Sequence, residues 1–334
     1  MPTSPILDYL ESLRARYAPL ADGSVADYIP ELARADPDGF GICIATHDGF
    51  VYEVGDSRQP FTIQSISKPL TYGLALEAHG EDAVLAKIGV EPSGDAFNAV
   101  SLRPQTGAPL NPLINAGAIA ACGLVPGDTI EQKTARILDA FSRYAGRALD
   151  IDEAVYASES RTGHRNRAIG WMLRNFSILA DDPTPTLEAY FRQCAIRVTC
   201  RDLALIGATL ANGGVNPVTR TRAIGEKYVQ DVLSVMATCG MYDYSGEWLY
   251  RTGLPAKSGV GGGILAVQPG RIGIGVYSPR LDAQGNSVRG IAVCRELAAD
   301  LGLHLFDPSQ RAVPAIRLST TRRSVASKRR RSHE

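Results

Sequence analysis

The chain contains one Ser-x-x-Lys motif, Ser65-Ile66-Ser67-Lys68, which places a possible nucleophile near a possible base. On a helix, residues three apart project from the same face, so Ser65 and Lys68 would lie side by side. A serine hydroxyl becomes nucleophilic when a neighbouring group accepts its proton, and a lysine can do so if burial or nearby positive charge lowers its pKa. The alternative is an exposed helix turn, in which Ser65 is a cap and Lys68 a solvated charge.

A lysine-serine pair recurs at Lys257-Ser258-Gly259, at the start of a glycine-rich stretch. A phosphate-binding loop is excluded because Arg251 and Ala256 stand where that loop needs glycines. In serine acyl-transfer enzymes of the penicillin-binding and β-lactamase type, a Ser-x-x-Lys helix and a Lys-Thr-Gly-like strand border one cleft. We therefore expect residues 65–68 and 257–259 to face each other, with the glycines letting a backbone N–H approach a reacting carbonyl.

Two predicted β-hairpins, one near each end of the chain, must position these motifs. Residues 39–56 form two β-rich runs around Asp48-Gly49, and residues 258–278 form two more around Pro269-Gly270. Strands at both ends with helices between them predict an α+β fold, with an antiparallel sheet flanked by helices, built from both chain ends, and an inserted all-helical domain. We assign 1–64 plus 256–310 to the sheet domain, 65–255 to the mainly helical domain and 311–334 to a basic, disordered tail.

The helical expectations rest on the spacing of apolar residues. The predicted helices cover residues 5–20, about 65–79, 113–125, 129–148, 186–212 with a break near 198–199, and 287–302. Asn115 is the polar exception in the apolar run 113–125, where it either makes a structural hydrogen bond or faces a pocket. Residues 158–170 are read as a charged, turn-rich loop entering a helix, and Tyr28 as a core aromatic or a site residue.

Composition excludes several classes of protein. The 334 residues are 45% hydrophobic and 21% charged, which suits a compact globular chain. The six cysteines form no C-x-x-C pair and no His-Glu-x-x-His occurs, so we expect neither a metal nor a cofactor. The N-terminus lacks the pattern of a signal peptide, and no apolar run is long enough to span a membrane. These features favour a cytoplasmic protein with no membrane partner.

The basic residues are unevenly distributed. The formal net charge is zero, but residues 322–334 hold six Arg or Lys and one Glu, so the remainder of the chain is mildly acidic. The tail could contact RNA, anionic lipid or nothing specific, and no specific nucleic acid is expected. Only six of the 35 basic residues are lysines, which slightly favours a deprotonating role for Lys68 and Lys257, although a genomic bias towards Arg explains the shortage equally well.

The motifs, taken in order from about residue 24 to residue 307, closely resemble the glutaminase family of the serine-dependent β-lactamase-like superfamily. The segments that carry this resemblance are 25–30 (VADYIP), 64–69 (QSISKP), 91–94 (EPSG), 111–119 (NPLINAGAI), 158–160 (SES), 165–166 (RN), 210–214 (LANGG), 239–243 (CGMYD) and 253–260 (GLPAKSGV).

The resemblance implies hydrolysis of L-glutamine to L-glutamate and ammonia, in a homodimer or homotetramer. It implies that Ser65 is the nucleophile, Lys68 its base, and the backbone N–H groups of Ser65 and Val260 the oxyanion hole. Tyrosines lining the site match Tyr28 and Tyr242, the second close enough to Ser65 to share in proton transfer. The groups that hold the amino-acid end of glutamine match Asn115, Glu159, Asn166 and Tyr190.

Two other functions compete with this hypothesis. A β-lactamase or peptidase of the same superfamily is disfavoured by the missing export signal and by the residues from Glu159 to Asn166. A non-catalytic nucleic-acid-binding protein would use the basic tail, but the acidic body offers no basic face with interleaved aromatic residues. The animal relatives' ankyrin repeats are absent, so their regulation cannot be transferred to this chain.

Overall fold

The computed structural model describes residues 4–94, 101–179 and 182–308. The predicted tail, 311–334, lies outside the described residues. The helices of the described residues are α1 (Pro5–Tyr17), α2 (Pro30–Ala33), α3 (Ser67–His79), α4 (Glu81–Leu85), α5 (Asn115–Leu124), α6 (Ile130–Ala145), α7 (Glu153–Thr162), α8 (His164–Asn175), α9 (Thr184–Cys194), α10 (Cys200–Ala211), α11 (Glu226–Cys239), α12 (Ser245–Arg251) and α13 (Val288–Asp300).

The strands form two sheets. They are β1 (Gly41–Thr46), β2 (Val51–Gly55), β3 (Phe61–Thr62), β4 (Asp150–Ile151), β5 (Ile196–Val198), β6 (Ala256–Gly259), β7 (Gly263–Gln268) and β8 (Ile272–Tyr277). The larger sheet has the order β2-β1-β8-β7-β6, and each neighbouring pair is antiparallel. Two of its strands come from the start of the chain and three from the end, which confirms the predicted sheet.

Both predicted hairpins are present, but the second has an extra strand before it. Residues 258–268 are not one continuous strand, because the chain reverses between β6 and β7. The Gly262 N–H donates to the Gly259 carbonyl (3.0 Å), and Gly262 has a φ of +91° that favours glycine. Lys257 and Ser258 therefore lie on the edge strand β6, paired with Leu265 and Ile264 of β7.

Helices cover the two faces of the sheet. On one face, Leu10 and Leu13 of α1 share an apolar cluster with Val293 and Leu297 of α13. On the other face α10 lies directly on the backbone of β8, where a Cβ on Gly273 would come within 2.1 Å of the amide nitrogen of Ala208. A helix from the inserted segment thus forms one layer over the sheet.

The inserted segment is helical apart from two short strands, which were not predicted. Strands β4 and β5 form a small sheet with β3 in the order β3-β5-β4, and β5 accounts for the predicted break near residues 198–199. The helical core lies chiefly among α3, α5, α6, α9 and α11. The domain boundaries remain predictions. No helix in the described part of the chain is long and apolar enough to cross a membrane.

The prediction of a loop entering a helix at residues 158–170 is wrong for the loop, because helices occupy the stretch on both sides of Gly163. The stretch is occupied by the end of α7 and the start of α8, which meet at Gly163. The Asp152 carboxylate caps α7 by accepting from the Ala154 and Val155 amides, and Arg167 of α8 forms an ion pair with Glu188 of α9. The polar residues of this stretch suggested a loop, but they lie on two partly exposed helices.

Candidate active site

Ser65 lies in a 3-10 turn, Gln64–Ile66, immediately before α3. The α-helix therefore begins two residues later than expected. Gln64 has a φ of +48°, which is strained for a residue with a side chain. The turn is held because its carbonyl accepts from the Ser67 hydroxyl (2.6 Å) and the Gln64 side chain donates to Thr62 Oγ1 (3.2 Å). Pro69 lies in the first turn of α3, where its missing N–H breaks no intrahelical hydrogen bond.

Lys68, three positions after Ser65, is completely buried. Its Nζ donates to Asn115 Oδ1 (2.6 Å), and Asn115 Nδ2 donates in turn to Asn166 Oδ1 (3.0 Å). Burial lowers the pKa of Lys68 to about 8, because a charged amine is poorly solvated there. Among the ion pairs of residues 4–94, 101–179 and 182–308, none involves Lys68. An appreciable fraction of this amine is thus neutral near physiological pH.

Tyr242 reaches Ser65 from the opposite side. Its hydroxyl shares a hydrogen bond with the Ser65 side chain and donates to the Ser258 carbonyl (3.1 Å). Burial raises the pKa of Tyr242, so its proton stays on the oxygen. Because that proton points to Ser258, the oxygen can accept the hydrogen of Ser65. Like Gln64, Tyr242 has a positive φ, +58°, and strained residues therefore flank the hydroxyl on both sides.

Lys257 lies over the Tyr242 ring, with Nζ 4.0 Å from the ring centroid. The Nζ donates to the Gly240 and Ser258 carbonyls (2.9 and 2.7 Å). Burial, aided by the charge of Lys68, lowers the pKa of Lys257 well below its ordinary value. Lys257 does not depress the pKa of Lys68 in return, since the lowering there is caused by burial alone.

The turn between β6 and β7 brings Val260 next to the nucleophile. A Cβ on Gly261 would come within 2.6 Å of the Thr62 carbonyl oxygen, and one on Gly259 within 3.0 Å of the Ile63 oxygen. Glycine is therefore required for the turn to lie against the backbone that leads into Ser65. Within the described residues the Val260 amide donates to no backbone carbonyl, and the Ser65 amide lies in the leading turn of a helix, where N–H groups lack partners.

These elements border a cleft of about 330 Å³. Seven of the nine predicted residues line it: Tyr28, Ser65, Asn115, Glu159, Asn166, Tyr190 and Val260. Lys68 and Tyr242 connect to it through their hydrogen bonds to Asn115 and Ser65. The nine residues are therefore brought together, although they span more than two hundred positions of the sequence.

The part of the cleft formed by α7, α8 and α9 carries a carboxylate and is rich in hydrogen-bonding groups. The Tyr28 hydroxyl donates to Glu159 Oε1 (2.8 Å). Burial is the main cause that raises the pKa of Glu159, of Tyr28 and of Tyr190. Tyr28 is half exposed as a whole residue, but its hydroxyl end is enclosed in the cleft, where it donates to Glu159. Tyr28 therefore lines the cleft and is not a core aromatic.

Further lining residues escaped the sequence analysis: Gln64, Thr162, Gly163, Arg165 and Cys194. Helical spacing could have found two of them, since Thr162 follows Glu159 by three positions on α7 and Cys194 follows Tyr190 by four on α9. Helical spacing does not identify Gln64, because the direction of its side chain is set by its positive φ.

Comparisons with known proteins indicate one family. A family model described as Glutaminase matches residues 23–306. A glutaminase of Microcystis aeruginosa is 55% identical over 91% of this chain and 90% of its own length, and one of Trichormus variabilis is 53% identical over 91% of each.

Solved structures give the same result. The crystal structure of a Bacillus glutaminase has a TM-score of 0.82 and 36% identity, covering 90% of this chain and 99% of that one. The structure of a protein named Mglu, in its glutamate form, has a TM-score of 0.88 and 46% identity, covering 91% and 71% respectively. The match extends over nearly the whole described chain, and the chain belongs to the glutaminase family.

Proposed function

We propose that this chain hydrolyses L-glutamine to L-glutamate and ammonia, with Ser65 as the nucleophile. The observation that supports this most directly is the position of the Ser65 hydroxyl. It is hydrogen-bonded to Tyr242, and the cleft that Ser65 borders also presents a carboxylate, two amides and two phenols. Such a cleft fits an amino acid with a reactive carbonyl in its side chain.

We call the part of the cleft formed by Tyr28, Glu159, Asn166 and Tyr190 the recognition end. It would bind the α-ammonium and the α-carboxylate of the amino acid through different side chains. Glu159 would accept the α-ammonium, because among the residues that the structure describes it is the carboxylate that lines the cleft, and Tyr28 donates to its Oε1 (2.8 Å). The α-carboxylate needs neutral donors, which Asn166 and Tyr190 supply. Asn115 contacts both Lys68 and Asn166, so it links the recognition end of the cleft to the reacting end.

The reaction would proceed through a γ-glutamyl ester. As Ser65 Oγ bonds to the side-chain carbonyl carbon, its proton passes to neutral Lys68, with Tyr242 close enough to share the transfer. The resulting oxyanion accepts hydrogen bonds from the Ser65 and Val260 amides. The carbon-nitrogen bond then breaks, and ammonia leaves with the returned proton. Water attacks the ester and releases L-glutamate, restoring the Ser65 hydroxyl.

A substrate comparison tests the activity. Purified protein should release ammonia from L-glutamine and leave a chromogenic cephalosporin intact. Cleavage of the cephalosporin without ammonia release would favour the β-lactamase or peptidase alternative. RNA binding that survives deletion of residues 322–334, in a protein without glutaminase activity, would favour the non-catalytic alternative.

We also propose that the protein is a cytoplasmic homo-oligomer. All six cysteines are free and buried, as is usual in a reducing compartment. Helix α8 exposes 54% of Trp171 and 40% of Met172, and neighbouring exposed apolar residues are frequent in association surfaces. Light scattering after gel filtration measures the state directly, and a monomer at micromolar concentration would contradict the proposal.

A further inference from the structure

One carboxylate joins the three helices that carry the recognition end of the cleft. Glu188, on α9, accepts from the Tyr156 hydroxyl (2.8 Å) and from the Ser160 hydroxyl (3.0 and 3.1 Å), both on α7. It also forms an ion pair with Arg167 of α8 (3.0 Å). Arg167 in turn donates to the Ser160 carbonyl (2.6 Å) and hydroxyl (3.0 Å).

Three members of this cluster, Ser160, Arg167 and Glu188, lie within two positions of a residue of the cleft. Ser160 follows Glu159, Arg167 follows Asn166, and Glu188 precedes Tyr190 by two positions. Consecutive helical residues point about 100° apart, so each helix presents one face to the cleft and a different face to Glu188. The cluster therefore lies behind the side chains that would hold the substrate.

The contacts between these three helices are partly buried and closely packed. The Glu188 side chain is only 14% exposed and the Arg167 side chain 33% exposed, so water screens their interaction less than it would at the surface. The Arg167 guanidinium also lies 5.2 Å from the centroid of the Phe191 ring. A Cβ on Gly163, at the junction of α7 and α8, would come within 2.4 Å of that same ring. The junction is thus packed tightly against α9.

From this geometry we infer that Glu188 is a positioning residue for the amino-acid end of the substrate, acting through Tyr156, Ser160 and Arg167. The inference rests on the proposed function. Without Glu188 the three helices lose their common partner, and Glu159, Asn166 and Tyr190 lose their fixed separation. Ser65, Lys68 and Tyr242 lie on other elements, so the reacting end keeps its geometry.

The test compares Glu188→Ala with the wild type in two measurements. Steady-state kinetics gives kcat and KM for L-glutamine, and calorimetry gives the Kd for L-glutamate, which keeps the amino-acid end and lacks the reacting amide. We expect KM and Kd to rise together by about tenfold while kcat changes less than about threefold, because positioning errors weaken binding shared by ground and transition states.

A matched control separates positioning from general stability. Asp202 also joins elements through a buried carboxylate, accepting from Arg147 (2.6 and 2.8 Å) and from the Thr199 amide (2.8 Å), at a place that does not line the cleft. Asp202→Ala should lower the unfolding free energy and leave the Kd for L-glutamate unchanged. An equal rise of this Kd in both variants would overturn the inference.

Two milder variants keep the test decisive if Glu188→Ala fails to fold. Glu188→Gln retains an acceptor for Tyr156 and Ser160 but loses the charge that pairs with Arg167, and Tyr156→Phe removes the hydroxyl that donates to Glu188. Both should raise the Kd for L-glutamate by a smaller factor than Glu188→Ala would. An unchanged Kd in every folded variant contradicts the role of Glu188, whereas a wild type that neither binds L-glutamate nor hydrolyses L-glutamine contradicts the proposed function itself.

Discussion

Replacing Lys68 with methionine should make the protein more stable at neutral pH while removing its activity. Lys68 is fully buried, and its Nζ donates to Asn115 Oδ1 (2.6 Å). Methionine has a similar length and no charge, so it fills the same space without the cost of burying an ammonium group. A residue kept for catalysis commonly reduces stability in this way.

The magnitude follows from the lowered pKa. Burial moves the pKa of Lys68 from 10.5 to about 8, and each pKa unit corresponds to about 1.4 kcal/mol, so at pH 7 the buried ammonium costs the folded state about 3 kcal/mol. Leaving Asn115 Oδ1 without its donor costs about 1–3 kcal/mol. The variant should therefore be more stable by about 1 kcal/mol at pH 7.

The sign of the pH dependence is fixed by the same shift. Well below pH 8 the amine is mostly charged in both states, and nearly all of its cost is present. Between about pH 8 and 10.5 the unfolded chain holds the proton and the folded chain does not, so the stability of the wild type rises with pH. The advantage of Lys68→Met should therefore shrink by about 1 kcal/mol between pH 7 and pH 9.

Urea denaturation of both proteins at the two pH values measures this difference. Lys133→Met is the control, because the Lys133 amine donates to the Gly123 and Val125 carbonyls at the end of α5, and its loss should destabilise the protein. A Lys68→Met protein that is less stable than the wild type by the same amount at pH 7 and pH 9 would refute the reasoning.

Three further predictions concern activity. The kcat/KM for L-glutamine should rise with pH along a limb with an apparent pKa of about 8, set by Lys68; a flat profile from pH 6 to 9 contradicts this. Tyr242→Phe should lower kcat about 100-fold with little change in KM, since it removes only the oxygen that contacts Ser65. Gly261→Ala should lower kcat at least about tenfold, because its Cβ would come within 2.6 Å of the Thr62 oxygen and displace the Val260 amide. Stopped assays of ammonia release measure both variants, and wild-type kcat values would count against the assigned roles.

The sheet could be predicted because its hairpins carry local turn signals. Asp48-Gly49 and Pro269-Gly270 lie between strands of alternating residues, and both gave hairpins at the expected places. The strands of two or three residues around Ile196–Val198 have no such signal, since they are too short to show a period. They depend on tertiary packing that the local sequence does not encode.

The sequence could predict which residues form the candidate site, but not how they contact one another. Family motifs brought Ser65, Tyr242 and Glu159 together, whereas the helices that carry Glu159 and Asn166 were read as a loop. The positive φ values of Gln64 and Tyr242 have no sequence signature, because both residue types normally avoid that conformation. The lowered pKa of Lys68 depends on complete burial, which follows only from the folded structure.

The central claim is that Ser65 is the nucleophile for glutamine hydrolysis. Ammonia release by Ser65→Ala, compared with the wild type at saturating L-glutamine, tests it most directly. The structure predicts a loss of at least about a thousandfold in kcat, with L-glutamate still bound, since the recognition end of the cleft is untouched. Hydrolysis of L-glutamine by Ser65→Ala at the wild-type rate would contradict the claim.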